Sequence, residues 1–156
     1  MLSPDEFTVG TFADAKPLSL VLPRTPREET VLIGHLETVP MAVFLSGGDA
    51  FLSFESADNQ SWSGLIVPKV HIEVDQSTAF NPAAVDVPLG SVLRIDTRLV
   101  VEVRTERSFK SKVVTLHEKL MPTGEATAGF YKWQIVIGEG DEKRVLWRTP
   151  DPKSAS

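Results

Sequence analysis

The sequence predicts a mainly β protein, an antiparallel sandwich or a distorted, jelly-roll-like barrel, entered by an irregular N-terminal arm. Two observations predict it. The first is the stretch Ser91 to Glu106, whose odd positions Leu93, Ile95, Leu99, Val101 and Val103 are aliphatic. Its even positions include Arg94, Asp96, Arg98, Glu102, Arg104 and Glu106. A period of two gives a strand one dry face and one charged face. The second is a series of about eight short strand-like runs separated by turn residues, the pattern of an all-β sandwich or barrel. Unbroken, Ser91 to Glu106 would reach roughly 50 Å, so it must bend, bulge or protrude.

Residues 1–29 read as an irregular arm, because Pro4, Pro17, Pro23 and Pro26 break any long element. Ser3 with Glu6, and Thr25 with Glu28, match capping boxes that start at most a single helical turn. Residues 30–148 read as one β domain. Val31 to Ile33 is a short apolar strand bounded by Gly34 and Pro40. Met41 to Leu45 and Ala50 to Glu55 flank Gly47-Gly48, residues that supply the positive φ angles of a hairpin turn. Ser56 to Ser63 is a polar loop carrying Trp62. Leu65 to Asp75 alternates, with Val70, Ile72 and Val74 on one side and Lys69, His71, Glu73 and Asp75 on the other. Pro68 within it marks a bend or a sheet edge.

Residues 76–90 read as a loop punctuated by Asn81-Pro82 and Pro88-Leu89-Gly90. After the central strand the chain turns through Arg107 to Lys110 and returns along Lys112 to Met121. Phe130 to Ile137 places Tyr131, Trp133, Ile135 and Ile137 on one face, and Gly138 to Glu142 closes a hairpin onto Arg144 to Arg148. Residues 149–156 read as a flexible tail.

Composition bounds the function. A chain of 156 residues, 42% hydrophobic and 24% charged, is large enough for one domain with its own core. It has no cysteine, which excludes disulfides, thiolate nucleophiles and Cys-based zinc sites. The start lacks the basic and apolar regions of a signal peptide, and no run approaches the ~18 apolar residues of a membrane span. Those features predict a cytoplasmic protein without a membrane partner. A net charge of −5 argues against nucleic acid as the main partner. Charge is uneven: residues 1–88 hold 4 basic and 12 acidic residues, and residues 89–156 hold 12 basic and 9 acidic.

The best polar constellation is the row Lys69, His71, Glu73 and Asp75. Imidazole and carboxylates this close on one face could share a ligand or a proton, with Arg94 or Arg98 opposite, if the row lines a cavity. A solvated face is the commoner use of such a row. No pair of histidines stands at ligand spacing, so no metal and no cofactor is expected; His35 and His117 are isolated in sequence. The segment Arg104 to Lys112 gathers Arg104, Arg107, Lys110 and Lys112 around Phe109, and with Trp62 it is the candidate interface. No catalytic signature is present: no nucleophile elbow, phosphate loop, zinc-protease motif or dinucleotide fingerprint.

The function this supports is a non-enzymatic binding or assembly module that self-associates or meets a protein partner. Its sequence motives are the long strand, the proline-rich arm that could wrap a neighbour, and the opposite charge of the two halves. The alternative is a small β-barrel ligand-binding protein or enzyme whose His71, Glu73 and Asp75 line a cavity.

Overall fold

The computed structural model describes residues 2–16, 18–23, 30–36, 39–47, 50–55, 63–105, 108–116 and 124–150. They are mainly β, and the helical segments among them are 3-10 turns of three residues at Phe12–Asp14, Gln76–Thr78 and Gly140–Glu142. The strands fall into two sheets.

The larger sheet begins with β1 (Thr8–Thr11) and β2 (Leu20–Leu22), continues through β3 (Val31–Leu36), β4 (Val39–Phe44) and β5 (Leu52–Glu55), and takes in β6 (Ser63–Val67). β7 (His71–Val74) leaves it for the smaller sheet. β8 (Ala79–Phe80), β9 (Val92–Ile95), β10 (Arg98–Thr105), β11 (Ser108–Thr115) and β12 (Ala126–Phe130) return to the large sheet. β13 (Trp133–Ile137) and β14 (Arg144–Arg148) complete the small one, in the order β14-β13-β7.

β10 is where the halves of the large sheet meet. β9 pairs with its first half, β5 runs parallel to its end at Arg104↔Leu52 and Thr105↔Ser53, and β11 also pairs with it. β11 also touches β3 at Thr115↔His35, which brings β3 and β10 round toward each other. No closed barrel is found among the described residues.

The apolar residues explain why two sheets form. The largest buried cluster takes Leu20, Leu32, Val43 and Val67 from one part of the large sheet, and Val92, Val101, Val103 and Val114 from another. Trp133, Ile135 and Ile137 join it from the small sheet. A second cluster lies on the other face of β2 to β6, where Val31, Ile33, Ala42, Phe44 and Phe54 meet Phe12 and Ala15. Phe12 is fully buried, with its ring 5.8 Å from that of Phe54. A third cluster joins Leu93, Ile95 and Val100, with Phe80, Val87 and Ala126 against them.

Three expectations change. Ser91 to Glu106 is extended, but it is a hairpin: Ile95 pairs with Arg98 across a two-residue turn at Asp96-Thr97, and Asp96 has φ 60°. Facing residues of a hairpin share a face, so Leu93 lies with Val100, and Val92 with Val101. Both faces carry buried residues, although Arg94 is exposed, and the odd residues change layer at the turn. Glu102, expected outside, is buried where its backbone bonds to Ser91 and it pairs with Val113. The N-terminal arm is not wholly irregular. Ser3–Glu6 is a turn in which the Glu6 carboxylate accepts from the Ser3 backbone N–H, while β1 and β2 join the large sheet and Phe12 roofs the second core. Phe109 and Lys110 belong to β11 rather than to the turn before it, and Lys112 lies on β11 as expected of the returning strand.

Pro68 does mark a break. Beyond it Lys69 takes φ 59°, and the chain passes from β6 in one sheet to β7 in the other. The alternation there holds: Val70 is buried, Ile72 and Val74 pack against the main core, and Lys69, His71 and Asp75 are exposed.

Candidate functional site

The small sheet turns its apolar side to the core, so its other side is polar. β7 and β13 pair with Glu73 opposite Gln134, and β13 and β14 pair with Gln134 opposite Arg148. Residues directly opposite on paired strands share a face, so Glu73, Gln134 and Arg148 form a row across three strands. Glu73 accepts from the Gln134 side-chain amide at 2.9 Å and from Lys143 Nζ at 3.1 and 3.2 Å. These two partners, Gln134 first, hold its carboxyl below the ordinary value of 4.5.

Asp75 ends β7 and caps the 3-10 turn behind it. Its carboxylate accepts from the Ser77 hydroxyl at 2.6 Å and from the Ser77 backbone N–H at 3.0 Å. Those bonds lower its pKa from 3.8, with a smaller contribution from the charge of Lys132.

Tyr131-Lys132, between β12 and β13, is fixed from two sides. Asp75 N–H donates to the Lys132 carbonyl at 2.9 Å, and Lys132 N–H donates to the Thr78 hydroxyl at 3.1 Å. On the other side Thr149 continues the pairing of β14. Its hydroxyl accepts from Trp133 N–H at 2.8 Å and donates to the Trp133 carbonyl at 2.7 Å. The pairing thus runs past Arg148 to Thr149, while residues 151–156 lie outside the described residues.

Two hollows open around this segment. One, of about 420 Å³, mixes polar and apolar surface and holds most of the charged groups, lined by Glu73, Asp75, Lys132, Gln134, Arg148 and Thr149 among others. The other, of about 590 Å³, is mainly apolar, lined by Phe51, Pro88, Leu89 and Tyr131 with the backbone at Gly90-Ser91. Lys132 and Thr149 line both. The apolar hollow has a firm aromatic frame. Tyr131 is 42% exposed, yet its ring stacks on Phe80 at 4.2 Å between centroids. Behind Phe51, Trp147 meets it edge-on and leans on Trp133, whose indole N–H donates to the Gly90 carbonyl at 2.7 Å.

The polar row proposed from sequence is therefore divided. Glu73 and Asp75 line a hollow; His71, exposed on β7 opposite Val136, is not among its lining residues. Arg94, exposed on β9, and Arg98, half-buried on β10, belong to the other sheet and line neither hollow. Arg104 is exposed near the end of β10. Trp62 and Arg107 lie outside the described residues, as do the side chains of Phe109, Lys110 and Lys112 and all of His117. His35 is half-buried, and its Nδ1 is enclosed without a hydrogen-bond partner among the described residues; burial pushes its pKa below the ordinary 6.5. Among the described residues no group of three His, Asp or Glu is placed to hold a metal ion, and no helix is long and apolar enough to cross a membrane.

Sequence reasoning missed Tyr131, Lys132, Arg148 and Thr149. The first two read there as interior positions of one strand, Phe130 to Ile137, whereas the chain breaks between β12 and β13 at this point.

The fold and this surface define a mainly β, two-sheet protein with an open, partly apolar hollow. A family model described as "Uncharacterised protein y4lG" matches residues 9–156, and the chain belongs to that family. It is 53% identical to the uncharacterized protein y4lG of Sinorhizobium fredii (strain NBRC 101917 / NGR234), an alignment that covers 100% of this chain and 98% of the relative. No solved structure matches.

Proposed function

We propose that this protein is a non-enzymatic binding module on a two-layer, sandwich-like β framework, and that it associates with copies of itself through the outer edge of β1. We read it as one domain running from β1 to Thr149, wider than the 30–148 core that the sequence suggests. The observation that carries the reading is Val9, 75% exposed on a strand that pairs only with β6 among the described residues. An open edge with an exposed β-branched residue is a template for another strand. Two of the sequence motives for assembly no longer support it. The long strand is a hairpin, and Phe7, Phe12 and Leu20 of the arm pack on their own chain. The hydrogen bonds that lower the pKa of Glu73 and Asp75 favour their ionised forms, which argues against either carboxyl as a general acid near neutral pH. Light scattering on a size-exclusion column tests the reading: a dimer is expected at high protein concentration, and Val9→Lys should return it to monomer. A wild-type chain that stays monomeric throughout refutes edge pairing.

A second reading is a small-ligand-binding protein, favoured by the place of Glu73 and Asp75 in a hollow. It shares the framework and differs in the surface used.

A further inference from the structure

The apolar hollow holds one polar group that the chain itself does not use. Ser91 lines the hollow and is only 2% exposed. Its backbone is engaged: the N–H donates to the Pro88 carbonyl at 3.1 Å, and the carbonyl accepts from Glu102 N–H at 3.0 Å. Its hydroxyl makes no hydrogen bond among the described residues. Nor is it sealed in, because the enclosed, unpartnered side-chain atom among those residues is His35 Nδ1. The Ser91 hydroxyl is therefore open to the hollow. Buried hydroxyls are nearly always paired, so one left unspent on such a wall marks where an incoming polar group gains most.

The other polar groups of the lining are spent. The Thr149 hydroxyl accepts from Trp133 N–H and donates to its carbonyl, and the Thr78 hydroxyl accepts from Lys132 N–H and donates to the Asp75 carbonyl at 2.7 Å. The Ser77 hydroxyl donates to the Asp75 carboxylate, and the Gly90 carbonyl accepts from the Trp133 indole. Lys132 is the one ionised side chain of the lining among the described residues, and it already has an interaction of its own. In the adjoining hollow Lys132 and Arg148 are matched by Glu73 and Asp75, so neither sign of charge is in excess.

The apolar wall is built before any ligand arrives. Phe80 holds one face of the Tyr131 ring, and Gly129 allows it this position, because a Cβ there would stand 2.4 Å from the Phe80 ring. Gly90 does the same for Phe51, whose ring would lie 2.2 Å from an added Cβ. Neither aromatic has to be ordered on binding, which lowers the entropic cost of contact. Tyr131 is 42% exposed and lines the hollow, so a flat ring laid on it continues the stack begun by Phe80. The volume, about 590 Å³, falls within the range of roughly 300–1,000 Å³ usual for small-molecule sites.

We propose that the apolar hollow binds a small uncharged aromatic molecule with one hydrogen-bonding group. The ring lies against Tyr131, Leu89 and Pro88, and the polar group meets the Ser91 hydroxyl. A charged head would give up its hydration for no unspent counter-charge, which is why the ligand is neutral. This rests on the small-ligand reading and is independent of edge pairing.

The test uses three compounds that share one ring system: 2-naphthol, naphthalene and 2-naphthoate. Each is titrated calorimetrically into the full chain at neutral pH. Naphthol is expected to bind at least about tenfold more tightly than naphthoate, whose charge finds no partner. Ser91→Ala keeps the backbone bonds to Pro88 and Glu102. It should weaken naphthol about fivefold, the scale of one net hydrogen bond, and leave naphthalene unchanged. Tyr131→Ala should weaken naphthol and naphthalene together. Naphthoate binding as tightly as naphthol overturns the inference of a neutral ligand and leaves the ligand-binding reading standing. Naphthol binding that is unchanged in Ser91→Ala, or in Tyr131→Ala, places the ligand elsewhere and also overturns it. If none of the three binds, the ligand-binding reading falls with it.

Discussion

Trp133→Phe tests how the two sheets are held together. Trp133 lies on β13 of the small sheet, is 2% exposed, and donates its indole N–H to the Gly90 carbonyl at 2.7 Å, just ahead of β9 in the large one. Phenylalanine removes the donor and leaves that carbonyl in a dry site, which costs about 1–3 kcal/mol. It also removes part of a ring that packs on Trp147 at 4.7 Å, and the gap costs about 1–2 kcal/mol more. A total near 3 kcal/mol should lower Tm by roughly 6–12 °C for a chain of this size. Urea melts followed by far-ultraviolet circular dichroism measure it without depending on the lost tryptophan signal. Trp147→Phe is the control, because Trp147 is half-buried and its indole makes no hydrogen bond among the described residues. It should cost about 1 kcal/mol. If Trp133→Phe costs no more than its control, the indole is not a polar latch between the sheets.

Phe12→Ala should destabilise the chain by about 3–5 kcal/mol in the same urea melts, since Phe12 is fully buried over Phe54; a loss below about 1 kcal/mol would show that the N-terminal segment does not cover that face. Glu73 has a folded pKa below 4.5, so its stabilising contribution is complete above that value and is lost as pH falls through the lower, folded one. Glu73→Gln should therefore flatten the acid limb of a stability-versus-pH curve below about pH 4.5, and an unchanged limb would contradict the contacts with Gln134 and Lys143. His35 has a folded pKa below 6.5, so the chain loses stability as pH drops from that value, because the unfolded state binds the proton first. His35→Asn should remove this slope between about pH 5 and 7 in denaturant titrations, and a slope equal to wild type would assign it to another group.

The class of fold was legible because strands announce themselves locally. Val70, Ile72 and Val74 alternate with polar neighbours, and the core takes the aliphatic set. The arrangement of Ser91 to Glu106 was not legible, for a definite physical reason. A two-residue turn pairs Ile95 with Arg98, so facing residues have opposite parity in sequence. An odd-numbered aliphatic series, broken only by Thr97, therefore feeds two layers, Leu93 and Ile95 the third cluster and Val101 and Val103 the first. Asp96-Thr97 lacks the glycine that usually marks such a turn, although aspartate tolerates the positive φ that Asp96 adopts. The N-terminal strands were hidden differently. Leu20 to Leu22 is three residues long between prolines, too short to show a period, and only its pairing with β3 and β6 makes it a strand.

The candidate site was half legible, and the missing half shows what a single sequence withholds. Glu73 and Asp75 stand two apart on one strand, so their shared face could be read directly. Their neighbours come from elsewhere: Lys132 from the β12–β13 break, Thr149 from beyond β14, and Pro88 to Ser91 from the turn before β9. Those segments meet because small polar groups stitch backbones together. The Thr78 hydroxyl accepts from Lys132, and the Thr149 hydroxyl brackets Trp133. Threonine and serine at loop ends are common enough that none draws notice alone. Together they end β12, carry Tyr131 out of the core to a place beside Phe80, and set a lysine between an apolar hollow and one that holds most of the charged groups. A hollow framed this way owes its shape to backbone hydrogen bonds more than to the residues it presents. The side chains of Lys132 and Tyr131 can therefore be replaced without dismantling the sheets beneath.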